Sequence, residues 1–101
     1  MPSRLLPVLI TDRAREEVYV IYTRKNIPQD YGLRIGVKGS GCAGITYVIG
    51  FDKPQTNDEI FDEGMFKVLI EKKHFMHLLG LQVDFIDSDT ERGFLFTHPE
   101  A

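Results

Sequence analysis

The chain has 101 residues, 43% of them hydrophobic and 11% aromatic, so it suffices for one domain, residues 1–101, with a modest core and no need of staples. A net charge of −3 argues against nucleic acid as the main partner. One cysteine excludes an intrachain disulfide, so nothing marks the protein as secreted. The apolar run Leu5-Leu6-Pro7-Val8-Leu9-Ile10 is too short for a membrane span and has no small-residue cleavage site, which makes the cytoplasm the expected location.

Val8-Leu9-Ile10 predicts a short strand. Thr11 or Asp12 is placed to cap a helix, with Glu16 and Glu17 near its positive end. Ala14, Val18, Ile21 and Tyr22 recur at helical spacing on one face, and Pro28 stops the helix near Asn26. This helix is packing material. After the turn Pro28–Gly32, Leu33, Ile35 and Val37 alternate with Arg34, Gly36 and Lys38, which is the period of a half-buried strand. A second alternating strand places Ile45, Tyr47, Ile49 and Phe51 on one face. Gly36 and Gly50, unusual inside strands, imply a bulge or the close approach of another backbone.

Residues 52–58 are polar and contain Pro54, as an exposed loop does. Ile60-Phe61 and Phe66–Ile70 predict a hairpin around Asp62-Glu63-Gly64, with Phe66, Val68 and Ile70 alternating with Lys67 and Leu69. A short helix spans about Glu71–Leu79, apolar at Phe75, Leu78 and Leu79 and closed by Gly80. Leu81–Ile86 is another strand, and Gly93–Phe96 the last. Six or seven short strands and two helices, joined mostly by hairpin-length loops, predict an α+β, mostly β domain built largely of antiparallel sheet.

Chemistry is expected at Gly39-Ser40-Gly41-Cys42-Ala43-Gly44, between the two strongest strands. Glycines let backbone N–H groups converge on an anion, and a thiolate or sulfide is one. A lone cysteine in a glycine-rich hairpin is by itself more often a small buried hydrophobe than a reactive group. Lys38 reads as an outward-facing strand lysine, although a cation there would favour the thiolate. His74 and His77, three apart, are too few ligands for a metal and read as the polar edge of their helix. Asp84, Asp87, Asp89 and Glu91 lack the spacing and central glycine of a calcium loop and read as solvated. No phosphate loop, nucleophile elbow or His-Glu-x-x-His occurs. No base for a Cys42 thiol enzyme is identifiable, since nothing in the sequence ties His98 to Cys42.

The run Leu33–Tyr47, with its strand, Gly-Cys-Ala-Gly core and aromatic second strand, resembles the signature of the A-type iron–sulfur carriers, the HesB-like, IscA-type assembly proteins. Ile10-Thr11-Asp12, Leu81-Gln82-Val83-Asp84-Phe85 and Gly93-Phe94-Leu95-Phe96-Thr97-His98-Pro99 are similar to further segments of that family in the same order. The resemblance implies a HesB-like fold of mainly antiparallel and mixed strands with two helices. It implies a carrier or scaffold, not an enzyme, that binds an Fe–S cluster (2Fe–2S) or iron transiently and passes it to apo-proteins. Its implied partners are iron–sulfur scaffolds and recipient apo-proteins, with no nucleic acid and no membrane, in a homodimer or tetramer.

The family's Cys-Gly-Cys after the closing proline has no counterpart, and His98 stands where asparagine is usual. The resemblance therefore assigns cofactor and metal binding to Cys42 alone. A 2Fe–2S cluster usually takes four thiolates, and two Cys42 loops in a two-fold dimer supply two. The others would come from a small thiol such as glutathione, from a partner protein, or from His98, since histidine replaces cysteine in some 2Fe–2S centres. The missing pair reflects either a trimmed tail or a natural short member. The alternative function is a short member that has lost cluster ligation and binds partners of the assembly machinery.

Overall fold

The computed structural model describes residues 6–41 and 44–98. A two-residue strand, β1 (Leu9–Ile10), leads into helix α1 (Asp12–Arg24). Thr11 is the cap, its Oγ1 accepting the Ala14 N–H at 3.2 Å and donating to Asp84 Oδ1 at 2.7 Å. One hydroxyl thus ends the helix and ties it to β6 (Gln82–Asp87). Ala14 and Val18 are buried, and Ile21 and Tyr22 half-buried. The Tyr22 hydroxyl donates to the Tyr31 carbonyl, which folds the turn after the helix back onto it. Burial, and then the nearby Asp30 charge, hold that phenol above its ordinary pKa.

The remaining strands are β2 (Gly32–Gly41), β3 (Gly44–Asp52), β4 (Asp58–Asp62), β5 (Lys67–Glu71) and β7 (Arg92–Thr97). They form a three-stranded sheet, β1-β6-β7, and a four-stranded sheet, β3-β2-β5-β4. Hairpin-linked neighbours pair antiparallel, whereas β1 with β6 and β2 with β5 pair parallel, so both sheets are mixed. The inward faces share one buried cluster with α1, including Val18, Leu33, Ile35, Val68, Ile70, Leu78 and Val83. The α+β, mostly β class expected from the sequence holds.

Two local expectations change. Residues 71–79 divide into a 3-10 turn, Lys72–His74, and a single α-turn, α2 (Phe75–Leu78), with Gly80 at φ 84° beyond it. Leu78 is buried and Phe75 packs partly buried against the core, but Leu79 is 53% exposed, because so short a turn does not carry an apolar stripe as far as Leu79. In β5, alternation fails: Val68, Leu69 and Ile70 are all buried. β5 is an inner strand, and Leu69 fills the space left by Gly32, where a Cβ would stand 2.9 Å from Leu69 Cγ and from the Lys67 carbonyl oxygen. Both faces of an inner strand can therefore be dry.

Candidate functional site: the β2–β3 hairpin

β2 and β3 form the longest ladder, in continuous register from Gly32↔Asp52 to Lys38↔Thr46. The alternating sequence dictates it: Leu33 and Ile35 are buried, and Val37, Tyr47, Ile49 and Phe51 pack against the core from the same side. At Gly39 the ladder slips. Pairing resumes at Ser40↔Ile45 and ends at Gly41↔Gly44. Gly39 has φ 70° and no neighbour within 4 Å of where a Cβ would stand. It forms a β-bulge that adds one residue to β2. Cys42 and Ala43, the two residues between Gly41 and Gly44, lie outside the described residues. In the sequence, the only cysteine falls in the link between these two paired strands.

Lys38 is exposed on β2 as an ordinary outward lysine. His98 follows β7, half-buried, with its ring 5.7 Å from that of Tyr47, which lies equally close to the ring of Phe96. Tyr47 is three residues beyond Gly44, about 10 Å along an extended strand. The imidazole is thus brought to the strand that leaves the Cys42 loop. His74 lies beside the middle of β2. The His74 Nδ1 lies 3.3 Å from the position of a Gly36 Cβ, so Gly36 admits the imidazole, while His77 is exposed. Of the two strand glycines, Gly36 permits a close approach, by a side chain rather than a backbone; Gly50 has nothing within 4 Å.

Among the described residues no three His, Cys, Asp or Glu side chains are grouped to hold a metal. The acidic run is occupied structurally: Asp84 accepts from Thr11 and the Phe85 N–H, which holds its carboxyl below the ordinary range, and Asp87 faces Arg92 at 3.7 Å. No helix among the described residues is long and apolar enough to cross a membrane.

Sequence reasoning missed three features. The bulge at Gly39 was legible only as a glycine. Tyr47 was counted as core, yet it also carries His98. Arg34, read as an outward strand residue, is clamped by Asp52 and Asp58, at 2.9 and 2.7 Å. An arginine in an apolar strand with aspartates ending both the next strand and the following loop was the available signal.

A family model described as iron–sulphur cluster biosynthesis matches residues 7–101. The chain is similar to the iron-binding protein IscA of Enterobacter sp. (strain 638), 43% identical over 78 residues, which are 76% of this chain and 73% of that one. It is 35% identical over 97 residues to the iron-binding protein IscA of Cronobacter sakazakii, 95% of this chain and 89% of the relative. Among solved structures, Escherichia coli SufA, involved in biosynthesis of iron–sulfur clusters, superposes with a TM-score of 0.73 at 26% identity, over 100% of this chain and 90% of that one. IscA with a [2Fe–2S] cluster gives 0.72 at 26% identity, over 93% and 86%. The chain belongs to the iron–sulphur cluster biosynthesis family, as an A-type carrier with the IscA and SufA fold.

Proposed function

We propose that this protein is an iron–sulfur carrier that holds a 2Fe–2S cluster or iron on Cys42 and releases it to apo-proteins. The observation that carries the reading is the position of the sole cysteine, in the two-residue connection of a long, well-registered hairpin of this family's fold. A cargo that must be handed on needs few and exchangeable ligands. A thiolate at a glycine-flanked tip suits this, since an incoming thiolate can attack the metal and displace it.

One chain contributes one thiolate, and four is usual. A homodimer or tetramer that joins two Cys42 tips would supply two. His98 is the second ligand candidate, supported by its seat against Tyr47 on the strand that leaves the tip. A small thiol or the recipient's own cysteines would complete the set. In this reading residues 1–101 are one domain, supported by the shared core, acting in the cytoplasm as a carrier and not as an enzyme, between a scaffold and recipient proteins.

Anaerobic reconstitution with iron and sulfide, with and without glutathione, tests this by the visible spectrum. The expected result is a cluster spectrum in the parent protein that is lost in Cys42→Ser. A His98→Asn variant that loses the cluster only when glutathione is omitted would place His98 among the ligands. Full cluster retention by Cys42→Ser overturns the proposal.

A further inference from the structure

A hollow of about 590 Å³ lies between the end of α1, with the turn after it, and the β4–β5 hairpin. Tyr31 places it at the start of β2, the end of that ten-residue strand opposite the β3 link and about 30 Å from it along the strand. Both walls are fixed without an occupant. On one side Asn26, at φ 51°, reverses the chain, the Ile27 N–H donates to the Tyr22 carbonyl, and the Tyr22 hydroxyl holds the turn through the Tyr31 carbonyl. On the other, Gly64, at φ 94°, turns the hairpin, its N–H donating to Asp62 Oδ1 at 2.9 Å. Arg15 and Glu63 join that hairpin to α1 at 2.6 Å. Phe66 forms the buried end of the hollow, whereas Tyr19 and Met65 on its border are 48% and 57% exposed. Among the described residues neither Tyr19 nor Tyr31 makes a ring contact, so no other aromatic covers their faces.

We infer that this hollow binds a small heteroaromatic anion, a planar nitrogen-containing ring that carries one phosphate, as free nucleotides and flavins do. Tyrosine faces stack on such rings whatever their substituents. The side-chain amides of Asn26 and Gln29 on the border each offer donors and an acceptor, which matches a ring edge that has both. The charged side chains of the hollow are Asp62 and Lys67. Asp62 is turned back on its own loop by the Gly64 N–H, while the Lys67 ammonium is exposed and has no ion pair among the described residues. The uncompensated charge is therefore positive and single. One cation suits one phosphate, whereas a nucleic-acid strand needs a row of them. The volume falls within the roughly 300–1,000 Å³ of small-molecule sites. Among the described residues Tyr19 is the only exposed Phe or Tyr, and it borders the hollow itself, so a second copy of the chain has no free ring to insert.

The probes are adenosine monophosphate and flavin mononucleotide, each titrated into cargo-free 15N-labelled protein, with adenosine and inorganic phosphate as the separated halves. Saturable amide shifts confined to residues 19–31 and 62–67 are expected with at least one mononucleotide, and the tighter of the two identifies the source. The shifts are expected equally in Cys42→Ser, so failure of the carrier reading leaves this test intact. Removing the phosphate is expected to weaken binding about fivefold, and Lys67→Met to abolish that difference while leaving adenosine unchanged. Tyr19→Ala is expected to weaken all ring-bearing probes about tenfold, whereas Tyr19→Phe keeps the parent affinity. Both side chains are exposed, so an unchanged melting temperature is expected in each variant and separates lost binding from lost fold. Lys72→Met, on the 3-10 turn away from the hollow, is the neutral control. Absence of saturable shifts with both mononucleotides at several millimolar, shifts centred elsewhere, or unaltered affinity in Tyr19→Ala and Lys67→Met overturns the inference. So does a shift of the same amides with protein concentration alone, because a second copy then fills the hollow.

Discussion

Arg34 makes four hydrogen bonds through its guanidinium, and its removal gives a sharp test of how the hairpin is held. Its Nη1 and Nη2 donate to the two carboxylate oxygens of Asp58 at 2.7 Å each, its Nε to Asp52 Oδ2 at 2.9 Å, and Nη2 also to the Lys53 carbonyl at 3.1 Å. The Asp58 side chain is 1% exposed and otherwise accepts the Gln55 N–H. The guanidinium therefore fastens the end of β3 and the 53–57 loop to the start of β4. Arg34→Met keeps the stem but strands a buried carboxylate. Breaking a buried pair on one side costs about 3–5 kcal/mol, and since Arg34 keeps some solvent contact we take about 3. With about 4–8 °C per kcal/mol for a chain of this size, the melting temperature falls by roughly 12–24 °C.

The pH dependence checks the cause. Hydrogen bonding from Arg34 holds the Asp58 carboxyl below its ordinary value of 3.8, against the opposing effect of burial. A folded pKa below the unfolded one gives stability that is complete above the unfolded value and is lost as pH falls through the folded one. The parent protein is therefore expected to lose this stability below about pH 4. Arg34→Met should lack that acid loss, because the pair is already gone. Urea unfolding at pH 7 and pH 3 measures both, with Asp52→Asn as a control worth under about 1 kcal/mol, the Asp52 side chain itself being 43% exposed. A loss below about 1 kcal/mol for Arg34→Met would equate the clamp with a surface pair and refute the reasoning.

Thr11→Ala removes the α1 cap and should cost about 1–2 kcal/mol in urea unfolding, with Thr11→Ser restoring most of it. Gly32→Ala sets a methyl 2.9 Å from the Lys67 carbonyl, which cannot move aside as a side-chain end does, and overpacking of this kind costs about 1–3 kcal/mol. Gly50→Ala meets nothing and should leave the melting temperature unchanged or raise it, by about 0.5–1 kcal/mol of stability.

The strands and α1 were legible because their apolar residues recur at the period of the element that buries them. Thr11 was legible as a cap by its chemistry, though not as a partner of Asp84, which is 73 residues away. Leu69 was misread because alternation assumes one wet face, whereas Leu69 is buried in the space that Gly32 leaves on the neighbouring strand. The parallel pairings of β1 with β6 and β2 with β5 join segments far apart in sequence, which local pattern cannot encode. At the site, the cysteine and its glycines announced themselves. The placement of His98 on Tyr47 depends on the packing of β7 beside β3 and had no local signal.

Gly39 separates the presentation of the thiol from the thiol itself. The β2–β3 ladder is regular through Lys38 and resumes at Ser40, so the extra residue of the bulge sets the register of the last two pairs, Ser40↔Ile45 and Gly41↔Gly44. An alanine Cβ at Gly39 would meet no atom within 4 Å, so Gly39→Ala acts through φ 70° alone, a region that costs an L-residue about 1–2 kcal/mol. That cost is avoided if the bulge straightens, which would shift the strand register by one and turn the tip to the other face. Asparagine tolerates this region better than alanine. Gly39→Asn should therefore keep the parent's rate of Cys42 alkylation and its cluster spectrum, whereas Gly39→Ala should change both while leaving the Arg34 clamp and the acid transition intact. Equal behaviour of the two variants would mean that the bulge is incidental, and that the glycines near Cys42 serve only to keep side chains out of the way.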